Sequence, residues 1–250
     1  GGRRDNVSSG ARIHQVDITR LDALEAVFAD ERPEIVNHHA GQTNVRRSVS
    51  DPSYDANVNI IGSINLLQLC VKYGVGRVVF ASTSAVYSEP EYIPMDESHP
   101  IRPRSAYGAA KYAVENYVRL YSDLYGLKYH VFRYGNVYGP RQNPGGEAGV
   151  IAIFTQQFLS GTRPSIFGDG AKTRDYVFVK DVVNANLLTM NAIAENEVLN
   201  LGRSIEVSDF QVFDAVRQAT GVTVEPMYAP KRPGEADRVC LDCSKAKNTL

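Results

Sequence analysis

Tyr107 and Lys111 stand four positions apart in SAYGAAKYAVENYVRLYSDLYG, residues 105–126, a stretch with the apolar spacing of a helix. On a helix, positions i and i+4 are neighbours, with Cβ atoms roughly 5–6 Å apart, so the phenol and the ammonium can act together. A free phenol titrates near pH ~10 and is a poor base at neutral pH. An ammonium fixed beside it favours the phenolate, and a cationic ring held nearby would add to that effect. Such a pair is general acid–base machinery, able to take a proton from a hydroxyl and give it back. The spacing alone is a weak signal in a chain with 14 tyrosines and 27 lysines and arginines. The bland alternative is a packed aromatic beside a solvated lysine. The same separation recurs at Tyr176 and Lys180 in YVFVK, an apolar, β-branched run that reads as strand. There four residues at roughly 3.3 Å each hold the ends about 13 Å apart, and the second pair cannot act as a unit.

The elements around the first pair decide between the readings. EIVNHHAG (34–41) reads as a strand that turns polar at its end, and YDANVNIIGSINLLQLCVKYG (54–74) as a helix with Val58, Ile61, Asn65 and Leu69 on one face. RVVFASTS (77–84) is an apolar strand ending in hydroxyls. The helix of 105–125 follows, with Ser105 as N-cap and Gly126 as its stop. KYHVFRYGN (128–136) is strand again. This alternation predicts an α/β fold, a doubly wound parallel sheet covered on both faces. In such sheets ligands sit outside the carboxyl ends of the strands. Those ends gather His38, Ala40 and Gly41, then Ser82, Thr83 and Ser84, then Tyr134 and Asn136. The helix of 105–125 starts on that side, which sets Tyr107 and Lys111 beside the hydroxyls, and Thr83 or Ser82 can relay a proton.

After Asn136 the pattern changes to a loop rich in glycine and proline, VYGPRQNPGGEAG (137–149). A helix over 150–160, the segment PSIFGDGAKTRDYVFV and the tail from Thr220 read as a smaller lobe. The expected division is 1–136 with 176–203 for one domain, and 137–175 with 204–250 for the other.

Composition narrows the class. At 250 residues with 43% hydrophobic content the chain can bury a sizeable core. Its 27 basic and 28 acidic residues nearly cancel, which favours neither a nucleic acid nor a membrane surface as partner. No apolar run reaches the roughly 18 residues of a membrane span. Three cysteines suit a reducing compartment, and the expected location is the cytoplasm. Cys240 and Cys243 form a single CxxC with no second ligand pair, and His38 and His39 are adjacent with no third ligand, so no metal site is expected. Arg46 and Arg47 suit either an anion or a solvated basic turn.

These motifs together resemble the extended short-chain dehydrogenase/reductases, in the NAD-dependent sugar-nucleotide epimerase/dehydratase family. The matching stretches are VDIT, HHAGQTNVRRSVSDP, NIIGSINLL, VVFASTSAVY, SAYGAAK, FRYGNVYGPRQ, GEAGVIAIF, IFGDGAKTRDYVFVKDV, LNLG and RPGEADRVCLDCSKA, in the family's order along nearly the whole chain. The resemblance implies a Rossmann-like NAD-binding domain and a sugar-nucleotide lobe. It implies epimerisation at C4 of a UDP-hexose through a 4-keto intermediate, in a homodimer paired through the helices of 54–73 and 105–125.

The resemblance also implies roles. Tyr107 is the catalytic base, Lys111 binds the nicotinamide ribose and lowers the phenol's pKa, and Thr83 is their hydroxyl partner. Asp17 and Ile18 hold the adenine, Ala40, Gly41, Asn59 and Ser82 line the cofactor, and Tyr134 meets the nicotinamide. Asn136 meets the sugar diphosphate, Phe167 the uracil, and Arg174 and Arg232 the pyrophosphate, a task suited to guanidinium forks. Glu235 stands where the family usually has aspartate, towards the nucleotide ribose. Val239, seven places after Arg232, falls where a family residue borders the C2 substituent of the sugar. Its small side chain leaves room for an N-acetyl group.

A 4,6-dehydratase needs an acid–base carboxyl pair where this chain has Ser84 and Ala85, which argues against elimination. A UDP-uronate 4-epimerase, another nucleotide-sugar dehydratase or decarboxylase, and a non-catalytic sugar-nucleotide binder remain as alternatives. The sequence begins at Gly1, its first methionine is Met95, and the family's glycine-rich G-x-x-G-x-x-G loop is not in it. The expectation is that this stretch belongs to a longer chain and by itself binds NAD weakly or not at all.

Overall fold

The computed structural model describes residues 3–87, 89–145, 149–231 and 236–250. Helix α1 (Leu21–Glu31) leads into strand β1 (Ile35–His38). Short helices α2 (Val45–Ser50) and α3 (Pro52–Ala56), a π-helical turn over Asn57–Ile61, and α4 (Gly62–Lys72) follow. Strand β2 (Arg77–Thr83), helix α5 (Ala106–Tyr125), β3 (Lys128–Tyr134) and β4 (Asn136–Tyr138) complete the first half. The second half holds α6 (Val150–Leu159), β5 (Ser165–Phe167), β6 (Thr173–Arg174), β7 (Tyr176–Phe178) and α7 (Val179–Leu188). Strands β8 (Glu197–Leu201), β9 (Val207–Ser208) and β10 (Met227–Ala229), with helices α8 (Asp209–Thr220) and α9 (Ser244–Thr249), close the chain.

The central sheet is four-stranded, in the order β1-β2-β3-β8, and every pairing is parallel. One face packs Val78, Phe80 and Val131 against α1, α4 and α5 through Leu24, Phe28, Leu66, Leu69, Val114 and Val118. The other face sets Val79, Phe132 and Leu199 against Ala185 of α7 and Ala246 of α9. Consecutive β2 residues point to opposite faces, and both faces are apolar, as a doubly wound sheet requires. A second cluster joins α6, β5, β7 and α8 through Phe154, Phe158, Ile166, Tyr176 and Phe213.

Three elements depart from the sequence reading. The π turn over Asn57–Ile61 inserts a residue into what the periodicity predicts as regular helix. Ile61, placed on the inner face by spacing, is 46% exposed, while Asn59 is buried. YVFVK is not strand throughout, because α7 starts at Val179 and puts Lys180 on its first turn. The tail divides: Val222 and Val224 pack with the lobe and β10 pairs with β5, while Leu241 packs with Val86, Tyr87 and Met95, and Ala246 with the sheet. Met95 and the tail exchange backbone bonds, Met95 N–H to Cys240 O at 2.8 Å and Asp242 N–H to Met95 O at 2.7 Å.

The register sets Ser82 beside Arg133 and Arg133 beside Asn200, one row below the strand ends. This polar row is wholly buried and bonded through. Arg133 donates to Glu115 of α5 from Nε (3.0 Å) and Nη2 (2.6 Å), and Ser82 Oγ donates to the same carboxylate at 2.6 Å. Arg133 Nη1 donates to Tyr87 Oη at 2.9 Å, and Tyr87 Oη donates to Asn200 Oδ1 at 2.7 Å. The two charged side chains are 2% and 0% exposed. Removing one partner leaves the other charged and dry. Glu115→Ala is therefore expected to lower unfolding free energy by about 3–5 kcal/mol, read from urea titration, and a loss below about 1 kcal/mol would show the pair to be dispensable.

Candidate active site

Tyr107 lies in the first turn of α5 because Ser105 caps that helix, its Oγ accepting from Gly108 N–H at 3.1 Å. Gly108 makes the close approach possible: a Cβ there would fall 2.6 Å from the carbonyl oxygen of Ala85. Ala85 lies two residues past Thr83, the last residue of β2, so this contact presses the start of α5 against the strand end. Ser48 adds a side-chain bond, its Oγ accepting from Tyr107 N–H at 3.1 Å.

Lys111, one turn on, is 4% exposed, and its Nζ donates to Ala81 O at 2.9 Å. The ammonium lies 4.9 Å from the Phe80 ring centroid and 5.9 Å from that of Tyr107. Burial pulls Lys111 down to about 8, with the Asp55 carboxylate opposing. Tyr107 as a residue is half-buried, but its hydroxyl is closely packed, and that burial pushes the phenol up to about 12. A hydrogen bond with Thr83 pulls the other way, and the Asp55 charge adds to the rise. The sequence argument had Lys111 lowering the phenol. In this arrangement desolvation is the larger effect, and the proton stays on Tyr107 at neutral pH. Thr83 Oγ1 accepts from Ala85 N–H at 3.1 Å, which orients the hydroxyl.

A buried polar cluster lies behind the pair. Asn59 Oδ1 accepts from Gln42 N–H at 2.9 Å and its Nδ2 donates to Gln42 O at 3.0 Å, so the side chain holds the backbone after β1. Gly41 fits there only without a side chain, since a Cβ would sit 2.7 Å from Asn59 Oδ1 and 3.6 Å from Lys111 Nζ. Asn59 was expected to line the cofactor. Its amide bonds Gln42 and Asp55, and it shapes the backbone at Gly41. Ser82, likewise expected at the cofactor, is 3% exposed and turned to Glu115.

The remaining predicted residues fall in three places. Asp17 is exposed, with Oδ1 accepting from both Thr19 N–H and Thr19 Oγ1 at 2.9 Å, which holds its carboxyl below the usual range. Ile18 is half-buried beside Gly62, whose missing side chain makes room for it. Ala40 is exposed just past β1, and Tyr134 Oη takes bonds from Asn186 Nδ2 at 2.9 Å and to His39 Nε2 at 3.1 Å. The adjacent histidines thus diverge, His39 to Tyr134 and His38 to Ser63. Asn136 starts β4, its N–H bonded to Asp175 O at 2.7 Å.

Phe167 lines a cavity of about 430 Å³ with Gly168, Lys172, Lys231, Asp237 and Arg238. Arg174 lies one strand away, with Nη1 donating to Thr173 O at 2.7 Å. Val239 is 9% exposed and packs with Val86, Tyr87 and Met95. Arg232 and Glu235 lie outside the described residues. Cys240 and Cys243 are buried free thiols, pushed up to about 11 by that burial, and unsuited to redox exchange. Sequence reasoning missed Asp55, Gln42 and Glu115. Glu115 continues the i+4 ladder 107, 111, 115, and Asp55 stands four before Asn59, spacings that signal one shared face.

The model of the NAD dependent epimerase/dehydratase family matches residues 2–202. The UDP-glucose 4-epimerase of Thermotoga maritima, solved with UDP-glucose, is similar at 44% identity and a TM-score of 0.96, over 99% of this chain and 80% of that one. The UDP-glucose 4-epimerase of Thermus thermophilus, solved with NAD, has 41% identity and a TM-score of 0.93, over 99% and 81%. A UDP-N-acetylglucosamine 4-epimerase of Methanobrevibacter ruminantium, in complex with UDP-N-acetylmuramic acid, has 32% identity and a TM-score of 0.89, over 94% and 75%.

His38 gives the site a pH dependence. Ser63 Oγ donates its only proton to Asn59 O at 2.5 Å, so it accepts from His38 Nε2–H at 2.9 Å and Nδ1 is left bare. Nδ1 is buried without a partner, and burial pulls His38 down to about 3 from its ordinary 6.5. Its folded pKa is depressed, so the unfolded chain binds the extra proton first as pH falls from 6.5 towards 3. The unfolding midpoint should drop more steeply over that range in the wild type than in His38→Gln. Parallel melting profiles for the two proteins would refute the assignment.

Proposed function

Because this chain belongs to the NAD dependent epimerase/dehydratase family, we propose that it interconverts UDP-glucose and UDP-galactose by NAD-dependent epimerisation at C4. The observation that carries this reading is the seating of Tyr107 and buried Lys111 on consecutive turns of α5, pressed by Gly108 against the strand end that bears Thr83. Ser84 and Ala85 offer no carboxyl beside Thr83, which supports epimerisation over elimination.

The residues present fit NAD. Gly41 leaves bare backbone beside the Lys111 ammonium, and that ammonium has further protons to offer beyond the one given to Ala81 O. Lys111 would hold the nicotinamide ribose, Tyr134 and Ala40 would flank the nicotinamide, and Asp17 and Ile18 would hold the adenine. When bound in its oxidised form, NAD supplies the hydride acceptor for C4 and a positive ring beside the phenol. With that charge beside it Tyr107 gives its own proton to solvent, and its phenolate Oη then takes the proton of the C4 hydroxyl, with Thr83 Oγ1 holding that oxygen in reach. The cavity at Phe167 keeps the uridine end fixed, with Arg174, Arg232 and Asn136 on the diphosphate and Glu235 on the ribose. The 4-keto hexose turns about its diphosphate link and presents its other face. Tyr107 then returns the proton to the oxygen at C4, and the protein ends the cycle in its starting state.

The N-acetylated UDP-hexoses are within the same reading, supported by small Val239 and by the likeness to an N-acetylglucosamine 4-epimerase. We also propose a two-fold dimer through α4, the π turn before it and α5, where Ile61, Leu120 and Leu124 are exposed. Light scattering checks it, and a monomer at micromolar concentration counts against it. Among the described residues no helix is long and apolar enough to cross a membrane, and the three free thiols suit the cytoplasm.

In the full chain with NAD, Tyr107→Phe should cut turnover of UDP-galactose by about 10²–10⁴-fold with little change in sugar-nucleotide affinity. Near-wild-type turnover would remove Tyr107 from the mechanism. Val239→Tyr, by placing a ring beside Val86, should remove turnover of UDP-N-acetylglucosamine selectively. Loss of both activities together, or of neither, would show that Val239 does not set the sugar range.

A further inference from the structure

Asp55 is a buried acid that the mechanism above does not use. It sits in α3, 1% exposed, at the back of the cluster that shapes the cofactor cradle. Its Oδ1 accepts from Gln42 Nε2 at 2.7 Å and from Asn59 Nδ2 at 3.0 Å. Its Oδ2 is buried with no hydrogen-bond partner. A dry carboxylate with one bare oxygen is costly unless a positive charge offsets it. The contacts lead to such a charge: Asn59 borders Gly41, and Gly41 borders Lys111 Nζ.

We propose that Asp55 is a positioning residue for the Tyr107–Lys111 pair, fixing Gln42 and Asn59 under Gly41 and supplying the counter-charge that keeps the buried lysine an ammonium. The inference rests on the C4-epimerase reading for its kinetic arm and on the fold alone for its stability arm. Among the described residues, the groups that face Lys111 are His38 and His39 at the end of β1, both pulled below the ordinary imidazole value by desolvation and by the ammonium, and Tyr107 on α5 itself. Asp55 is the carboxylate whose charge acts on both members of the pair. It opposes the desolvation of Lys111, and it resists formation of a second anion on Tyr107.

Asp55→Asn separates charge from geometry, because the amide oxygen can still accept from Gln42 and Asn59. Without the charge, Lys111 loses its proton at lower pH, and so does Tyr107. Both limbs of the kcat/KM profile for UDP-galactose should move to lower pH. At pH 8.5 the variant should be about 10-fold below wild type, and at pH 6.5 within about 3-fold of it. Asp55→Glu, which keeps the charge, should return the limbs towards their wild-type positions even where the rate is lower. A purely structural role predicts a loss of equal size at every pH, and that result would overturn the proposal. Inactivity of the wild type with every UDP-hexose would instead overturn the epimerase reading and leave the stability arm standing.

The stability arm is a cycle of Asp55→Asn and Lys111→Met read by urea unfolding without cofactor. Coupled charges predict that Asp55→Asn costs about 10-fold less in the folding equilibrium constant in the Lys111→Met background than in wild type. Independent costs overturn the proposal. Should Asp55→Asn fail to fold, Lys111→Met decides. With the Asp55 charge left unbalanced, that variant should lose at least about 10-fold in the folding equilibrium constant, and Lys111→Arg, which keeps the charge, should lose less; equal losses in the two variants overturn the proposal.

Discussion

Lys111 carries an ammonium into a place where 4% of the residue meets solvent, and that burial constrains every element around it. A dry cation must be bonded and balanced. The bond comes from Ala81, two residues before the end of β2, so the lysine ties α5 to β2 close to the Thr83 hydroxyl. The balance is electrostatic and comes from α3. The same desolvation holds Tyr107 protonated, so the pair is set to act only when a further positive charge arrives beside the phenol. Under the proposed reading, the phenolate formed beside that charge is what borrows the proton and returns it.

Below the pair the protein spends a second buried ion pair on rigidity. Glu115 is two turns after Tyr107, on the same stripe of α5, and its carboxylate meets Arg133 and Ser82 in the row under the strand ends. Buried ion pairs contribute little net stability compared with apolar packing, but they accept few alternative geometries. Here the pair fixes the rotation of α5 against β2 and β3. Tyr107 and Thr83 inherit that setting. The bonds from Tyr87 and Asn200 carry it on to β8 and to the tail at Asp242. The tail therefore closes the network that aligns the site.

What could be read from the sequence was whatever depends on near neighbours. The limits of α5 were legible because Ser105 and Gly126 act within a turn of themselves, and the observed cap bond and the left-handed Gly126 agree with that local chemistry. The parallel sheet was legible because β1, β2 and β3 are apolar runs spaced by helix-length segments. The partners of Asp55 and Glu115 were not, since each carboxylate is explained by a residue from another element. The π turn was also hidden, because a single inserted residue turns Asn59 inward and Ile61 outward without changing composition. Lys180 and the end of the tail were misread for a related reason: a short apolar run does not say where strand gives way to helix, or which core it joins. The depressed lysine and the raised phenol follow from packing density, which periodicity does not report.

The central claim is that one carbon of the sugar loses and regains the same hydrogen while Tyr107 handles only the hydroxyl proton. It is tested most directly with UDP-glucose deuterated at C4, incubated in ordinary water with the full chain and NAD, followed by mass spectrometry of the UDP-galactose formed. The account predicts that the deuterium is kept at C4 through many interconversions. Deuterium washing out into solvent would mean that the carbon-bound hydrogen leaves as a proton, and that the pair on α5 does chemistry of another kind.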